Sequence, residues 1–201
     1  KEATLKITGL DGRVNTRILR VAPRTYKTQR INGLPSRKVI PKPKDVVRIR
    51  ADNSDIARVR ALDTRQAYFS SGFIWPVTGP VSGVFGSQRI LNGKPKNPHN
   101  GTDIAALEGT IIKAPADGVV ELVHENMFYT GNTLMLDHGF GLTSVYAHMS
   151  ALLVNEGDLV KQGTPIGKVG KTGRVTGAHL HWGVTLNQTH LDPALIAGDM
   201  N

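Results

Sequence analysis

Short apolar runs bounded by glycine are the feature that most narrows what this chain can become. Gly118-Val119-Val120-Glu121-Leu122-Val123, Thr133-Leu134-Met135-Leu136, Leu142-Thr143-Ser144-Val145-Tyr146 and Pro165-Ile166-Gly167-Lys168-Val169 each hold four to six residues. That length suits a strand, whereas a helix needs about ten residues or more. Among 201 residues, 22 glycines and 11 prolines supply the turns, and only 11 aromatics are present. The expected fold is mainly β, with a compact antiparallel β-sheet domain over residues 71–201.

The front of the chain reads differently. Thr4-Leu5-Lys6-Ile7-Thr8 alternates, Asp11-Gly12 is a hairpin turn signal, and Arg17-Ile18-Leu19-Arg20-Val21 reads as the return strand. Two strands alone are marginal in water, so the hairpin is expected to pack on the rest or to belong to a larger β-domain. Pro35, Pro41 and Pro43 punctuate a basic stretch, residues 38–44, which reads as an extended connector. Over residues 45–68, Val46, Ile49, Ile56, Val59 and Leu62 follow one helical face, with Arg48, Arg50, Arg58, Arg60 and Arg65 elsewhere. This predicts a basic amphipathic helix packed against its own protein. Three parts result: a β-segment and connector at 1–43, a basic helical linker at 44–70, and the β-domain at 71–201.

Charge follows the same division. The net charge is +9, but residues 1–70 carry 17 Lys and Arg against 6 acids, while residues 71–201 carry 8 against 10. A basic front can attract nucleic acid, anionic lipid or acidic wall polymer without regard to sequence, and it can equally be a solvated surface. No apolar run approaches the roughly 18 residues that cross a bilayer, so no transmembrane segment is expected. The chain opens at Lys1 without an initiator Met or an apolar signal region, as a processed or truncated product would. Cysteine is absent, which excludes disulfide scaffolds, thiolate zinc sites and cysteine nucleophiles. Any metal must sit on His, Asp or Glu.

Seven histidines are available: His99, His124, His138, His148, His179, His181 and His190. His99-Asn100-Gly101-Thr102-Asp103 is an HxxxD element in a turn-rich region. His179-Leu180-His181 sets two imidazoles on one face of a strand, because side chains alternate with period two. A catalytic zinc takes three protein ligands and keeps one position open. His99, Asp103 and one member of the HxH pair supply three. The other member then stands beside the open position, although an HxH pair can also ligate together, and spacing leaves both arrangements open. His148, in Val145-Tyr146-Ala147-His148-Met149-Ser150, is a candidate second unligated imidazole.

Several ordered motifs across residues 73–193 resemble one family. They are Trp75-Pro76-Val77-Thr78-Gly79 with Gly83-Val84-Phe85-Gly86, His99-Asn100-Gly101-Thr102-Asp103-Ile104-Ala105-Ala106, and Ala114-Pro115-Ala116-Asp117-Gly118-Val119-Val120. Leu136-Asp137-His138-Gly139, Tyr146-Ala147-His148-Met149-Ser150, Gly157-Asp158-Leu159-Val160-Lys161-Gln162-Gly163 and Gly177-Ala178-His179-Leu180-His181-Trp182 follow in order. Together they are similar to the catalytic domain of the lysostaphin/LytM-type zinc metallopeptidases, which cut peptide bonds in bacterial peptidoglycan. The stretch 157–169 also resembles the barrel-sandwich motif of biotinyl and lipoyl carriers, without their Met-Lys-Met hairpin. It implies a barrel-sandwich-like architecture and no carrier function.

The family resemblance implies that His99, Asp103 and His181 bind zinc, with His148 and His179 as the unligated catalytic pair. Ala178 stands where the family often has proline, which removes no reactive group. His138 is expected to be structural, and His124 and His190 to lie at the surface or in packing. The implied function is zinc-dependent hydrolysis of peptidoglycan peptide bonds in the periplasm, envelope or outside the cell. Glycine-rich bridges and D-alanyl cross-links to diaminopimelate are both cut within the family, and the three-part layout leans to a cross-link endopeptidase. The alternatives are a non-catalytic wall-binding or amidase-activating module of the same fold, and a nucleic-acid binder using residues 1–70. The partner expected is peptidoglycan and no nucleic acid, with the front segment in contact with the peptidase domain, covering its cleft as a pro-segment would.

Overall fold

The computed structural model describes residues 1–200. At the front, β1 (Glu2–Thr8) and β2 (Val14–Arg20) pair antiparallel, Glu2 opposite Arg20 and Thr8 opposite Val14. Asp11 braces the turn by accepting the Arg13 N–H at 3.0 Å. Every residue of both strands is exposed, including Leu5, Ile7 and Ile18. The ribbon therefore stands clear of the core, so of the two placements expected of it the packing on the rest of the chain is not the one found.

Next come β3 (Thr28–Ile31), the single-turn α1 (Ser36–Val39) and α2 (Pro43–Arg60). Lys38 and Val39 lie in α1 and Pro43 and Lys44 in α2, so the extended connector expected over 38–44 is confined to residues 40–42. Pro43 opens α2, where its fixed φ and missing N–H cost nothing, and Asp45 in the first turn accepts the Lys42 N–H at 3.1 Å.

The helix ends at Arg60, eight residues before the end that its pattern predicts. Beyond it the backbone finds a partner outside the helix, with the Thr64 carbonyl accepting the Phe140 N–H at 2.8 Å. Its inner face is largely the apolar one expected: Val59 is buried and Ile49, Ile56 and Leu62 are half-buried, with only Val46 of the five exposed, and Asp45 and Asp52 are buried along with them. Asp52 Oδ2 accepts the Phe128 N–H at 2.6 Å, and Val59 packs with Leu122, Met127, Met135 and Val145.

A 3₁₀ turn at Tyr68–Ser71 leads to β4 (Val81–Gly83), β5 (Gln88–Leu91), β6 (Lys94–Lys96), β7 (Thr102–Ala105) and β8 (Ile111–Lys113). Then follow β9 (Gly118–Met127), β10 (Gly131–Gly139), β11 (Leu142–Met149), β12 (Ala151–Leu152) and β13 (Leu159–Val160). The chain closes with β14 (Pro165–Lys168), β15 (His179–Leu186), β16 (Thr189–Leu191) and α3 (Pro193–Ala197).

The main sheet has eight strands in the order β13-β9-β10-β11-β15-β7-β4, with β16 on β15, and all its pairings are antiparallel. A second sheet, β12-β14-β8, covers one face. Between them lie Val120, Leu134, Leu136, Tyr146, Leu180 and Trp182 from the large sheet and Ile112 and Ile166 from the small one, all essentially without solvent contact. Burial of this apolar layer is the main stabilising term of the fold. The architecture is the antiparallel, mainly β domain that the glycine-bounded runs predict. A third sheet joins the front of the chain to the rest, with β3 parallel to β5 and β5 antiparallel to β6.

Candidate metal centre and its cleft

β7 and β15 pair so that Asp103 lies directly opposite His181. Alternation along β15 sends Leu180 and Trp182 into the core and leaves His179 and His181 on the other face. His99 precedes β7 in a loop pinned by two backbone bonds, from its own N–H to Ser87 O at 2.9 Å and from the Gly86 N–H to its carbonyl at 2.8 Å. Two glycines leave room for the ligands. A Cβ on Gly101 would meet His181 Cε1 at 2.7 Å, and one on Gly83 would meet Asp103 Oδ2 at 2.3 Å.

Three donor atoms converge. Asp103 Oδ1 lies 3.0 Å from His99 Nε2 and 2.8 Å from His181 Nδ1, and the two nitrogens are 3.0 Å apart. The His99 Nδ1–H faces the Val84 carbonyl at 3.2 Å, which leaves Nε2 as a bare lone pair. Lone pairs of two imidazoles and a carboxylate this close repel unless a cation lies among them. The set of two nitrogens and one oxygen fits a three-ligand zinc site, whose bonds run about 2.0–2.2 Å.

His148 reaches this site by a distortion. Regular alternation would put it on the same face as Tyr146, in the core. Between Leu134↔Tyr146 and Asn132↔Met149 the β10–β11 register slips, and His148 itself has φ 67. Such a bulge re-aims a side chain, and a left-handed non-glycine residue persists only where its surroundings hold it. Here the His148 N–H donates to Thr130 O at 2.7 Å and its Nδ1–H to Thr172 O at 2.9 Å. The ring ends 4.8 Å from that of His179, centroid to centroid. His179 Nδ1–H donates to Gly177 O at 3.0 Å, and its Nε2 lies 3.9 Å from Asp103 Oδ1. Both rings therefore present Nε2 as an acceptor on the cleft side.

Burial and neighbouring charges set the electrostatics of these groups. Burial pushes His148 well below the ordinary imidazole range, and the charges of His179 and His181 act in the same direction. Burial likewise lowers His181 to about 4 against the opposing pull of Asp103. Burial alone would raise the Asp103 carboxyl, but its partnership with His181 and His99 holds it well below the usual range. Arg89 Nη2 donates to Asp103 Oδ2, the oxygen turned away from the imidazoles, and Arg89 Nε donates to Gln29 Oε1 at 3.2 Å.

The donors open into a cleft of about 370 Å³, whose walls include Ile56, Arg60, Tyr129, Arg174 and His179. All five expected site residues meet here, whereas the other histidines do not. His138 is buried with Nδ1–H on Asp117 O at 2.6 Å and Nε2 accepting from Ser144 Oγ at 2.7 Å, a structural role. His124 and His190 are half-buried away from the donors. Nothing in the spacing of Arg89 and Arg174 sets them apart from surface arginines in the sequence.

An antiparallel β domain carrying two imidazoles and a carboxylate around one point, with two more imidazoles beside it, defines a metallopeptidase-class protein. The sequence profile of Peptidase family M23 matches residues 97–193. A solved Pseudomonas aeruginosa protein described as a candidate M23 peptidase superposes with a TM-score of 0.75 at 32% identity, covering 98% of this chain and 75% of that one. The peptidoglycan DD-endopeptidase ShyC of Vibrio cholerae is 42% identical over 118 residues, 58% of this chain and 27% of ShyC. The DD-carboxypeptidase/endopeptidase Mpg of Neisseria meningitidis is 42% identical over 99 residues, 49% of this chain and 23% of Mpg. The chain thus spans about a quarter of the length of these two curated relatives. It belongs to peptidase family M23.

Proposed function

We propose that this chain carries the catalytic centre of a zinc-dependent peptidoglycan hydrolase that cuts cross-link peptide bonds in the bacterial envelope. The observation that carries the reading is the meeting of His99 Nε2, Asp103 Oδ1 and His181 Nδ1 within 3.0 Å, flanked by two imidazoles whose tautomers are fixed by carbonyls. The similarity to ShyC and Mpg supports the substrate class. No helix among the described residues is long and apolar enough to cross a membrane.

His99, Asp103 and His181 would hold the zinc. When bound, zinc polarises a scissile carbonyl and makes water acidic enough to attack near neutral pH. The remaining chemistry falls to the chain's own side chains. With Nδ1–H committed to Thr172 and Gly177 carbonyls, His148 and His179 offer Nε2 as proton acceptors for the attacking water. A ring protonated there can then pass its proton to the departing amine. His148, kept neutral by burial, resists taking a proton from bulk solvent and so is ready for the reacting one. Residues 28–60 supply one wall of the cleft, and a supporting role for residues 1–70 around the domain is part of this reading.

The test is digestion of purified peptidoglycan by the full chain with and without a chelator, with product muropeptides identified by mass spectrometry. Cross-linked dimers should fall to monomers, chelation should stop this and added zinc should restore it. His148→Ala and His181→Ala should both abolish release, with only His181→Ala losing zinc. Zinc bound stoichiometrically with no product from any wall preparation would favour a non-catalytic wall-binding module.

A further inference from the structure

Resting on the reading above, we propose that Arg174 recognises a carboxylate of the substrate peptide. The bond cut is then one flanked by a free carboxylate, as in a D-alanyl–diaminopimelate cross-link, and not a glycyl–glycyl bond.

Arg174 follows Gly173 in the loop between β14 and β15. Its N–H donates to Tyr129 O at 2.8 Å, and its guanidinium lies over the Tyr129 ring, 4.5 Å from the centroid. These contacts fix the root of the side chain and hold its guanidinium over the Tyr129 ring in the cleft wall, which His148 and His179 also line.

The charge of Arg174 is unanswered. It forms no ion pair among the described residues. Among the described residues, Asp103 is the only acid lining either lobe of the cleft, and Arg89 with the donor imidazoles already occupies it. Of the other cations lining the lobes, Lys96 donates its ammonium to Val39 O at 2.8 Å. Arg60 also lines the cleft, with its Nε buried and unpartnered. Burial and the nearby charge of Arg89 both disfavour the Arg174 cation. A half-buried guanidinium without a counter-ion is costly, and an anionic ligand offsets that cost. Its planar fork matches the two oxygens of a carboxylate.

Substrate chemistry supplies the anion. In a D-alanyl–diaminopimelate link, the carbon bonded to the scissile nitrogen also bears a carboxylate. With the scissile carbonyl at the donor set, that carboxylate must lie within the same cleft. A bond inside a glycine bridge has no carboxylate at that place.

The experiment uses the full zinc-loaded chain and two cross-linked muropeptide dimers, one native and one with the carboxylate beside the scissile nitrogen converted to a carboxamide. The native dimer should be preferred by roughly 10- to 100-fold in kcat/KM, mostly through KM. Arg174→Gln should erase the preference by slowing the acid substrate alone, and Arg174→Lys should keep part of it. Zinc content should be unchanged in both. Calorimetric Kd values with zinc-stripped protein, which does not turn over, should show the same preference and the same loss.

Equal losses on both dimers in folded Arg174→Gln overturn the proposal, as does wild-type protein that binds acid and amide alike. If Arg174→Gln does not fold, Arg174→Lys decides by the same comparison. Should neither dimer be cut while the binding preference stands, the hydrolase reading falls and the carboxylate site survives.

Discussion

Arg89 holds the outer oxygen of Asp103, so that Oδ1 alone is left to face His99 and His181. The same guanidinium is tied through Nε to Gln29 of β3, which links the carboxylate's orientation to the front of the chain. Partners of this kind set the direction of a ligand and its electron density without touching the metal. Arg89→Met should therefore weaken zinc binding by about 10- to 100-fold. Competition against a chromogenic chelator measures this, and an unchanged zinc affinity would show the contact to be idle.

Gly101 sits beneath the His181 ring, and an added methyl would lie 2.7 Å from Cε1 and 2.5 Å from the Trp182 carbonyl. Gly101→Ala should press on the β15 backbone at Trp182 and displace the His181 ring. We expect zinc affinity to drop about 10-fold or more while the far-UV circular dichroism stays that of the parent. A crystal structure of the variant with His181 unmoved would contradict this.

Acid should destabilise the metal-free protein through His138. Burial lowers its pKa from 6.5 to about 4. Between those values the unfolded chain binds the proton and the folded one does not. Stability is therefore complete above about pH 6.5 and falls as pH drops toward 4. One such group costs about 2 kcal/mol at pH 5. His181, also lowered to about 4, adds a term of the same sign in the metal-free state. Urea titrations at pH 7 and pH 5 should show the loss, and His138→Gln should flatten the dependence. An identical pH slope in that variant would rule out His138 as its source.

Asp52 ties α2 to the sheet through the Phe128 N–H at 2.6 Å, two residues before the Thr130 carbonyl that holds the His148 backbone. Asp52→Ala leaves a buried N–H without a partner and should cost about 1–3 kcal/mol. It should also lower kcat through the loop. Chemical denaturation and steady-state kinetics check the two effects separately, and full stability would mean that water replaces the carboxylate.

The main strands and the HxH face can be read along the chain because each depends on local spacing. Glycines bound β9, β10 and β11, and period two alone puts His179 beside His181. His148 is different. Its arrival depends on a slipped register and on carbonyls of Thr130 and Thr172, which come from other loops. The apolar face of α2 is legible too, since Ile56, Val59 and Leu62 pack together on the sheet, but the apolar spacing continues to Leu62, past the last helical residue. The burial of Asp45 and Asp52 on the same helix is not legible, because a pattern of hydrophobicity cannot select carboxylates. Arg89 and Arg174 gain meaning only from what surrounds them in space.

The twisted backbone at His148 also bears on any effort to make this molecule hardier. Glycine would sit there without the roughly 1–3 kcal/mol that a side chain incurs in a left-handed conformation. A search that rewards heat resistance alone would drift toward that exchange and produce a sturdier, inert shell. Selection for turnover must therefore accompany selection for endurance at this one position.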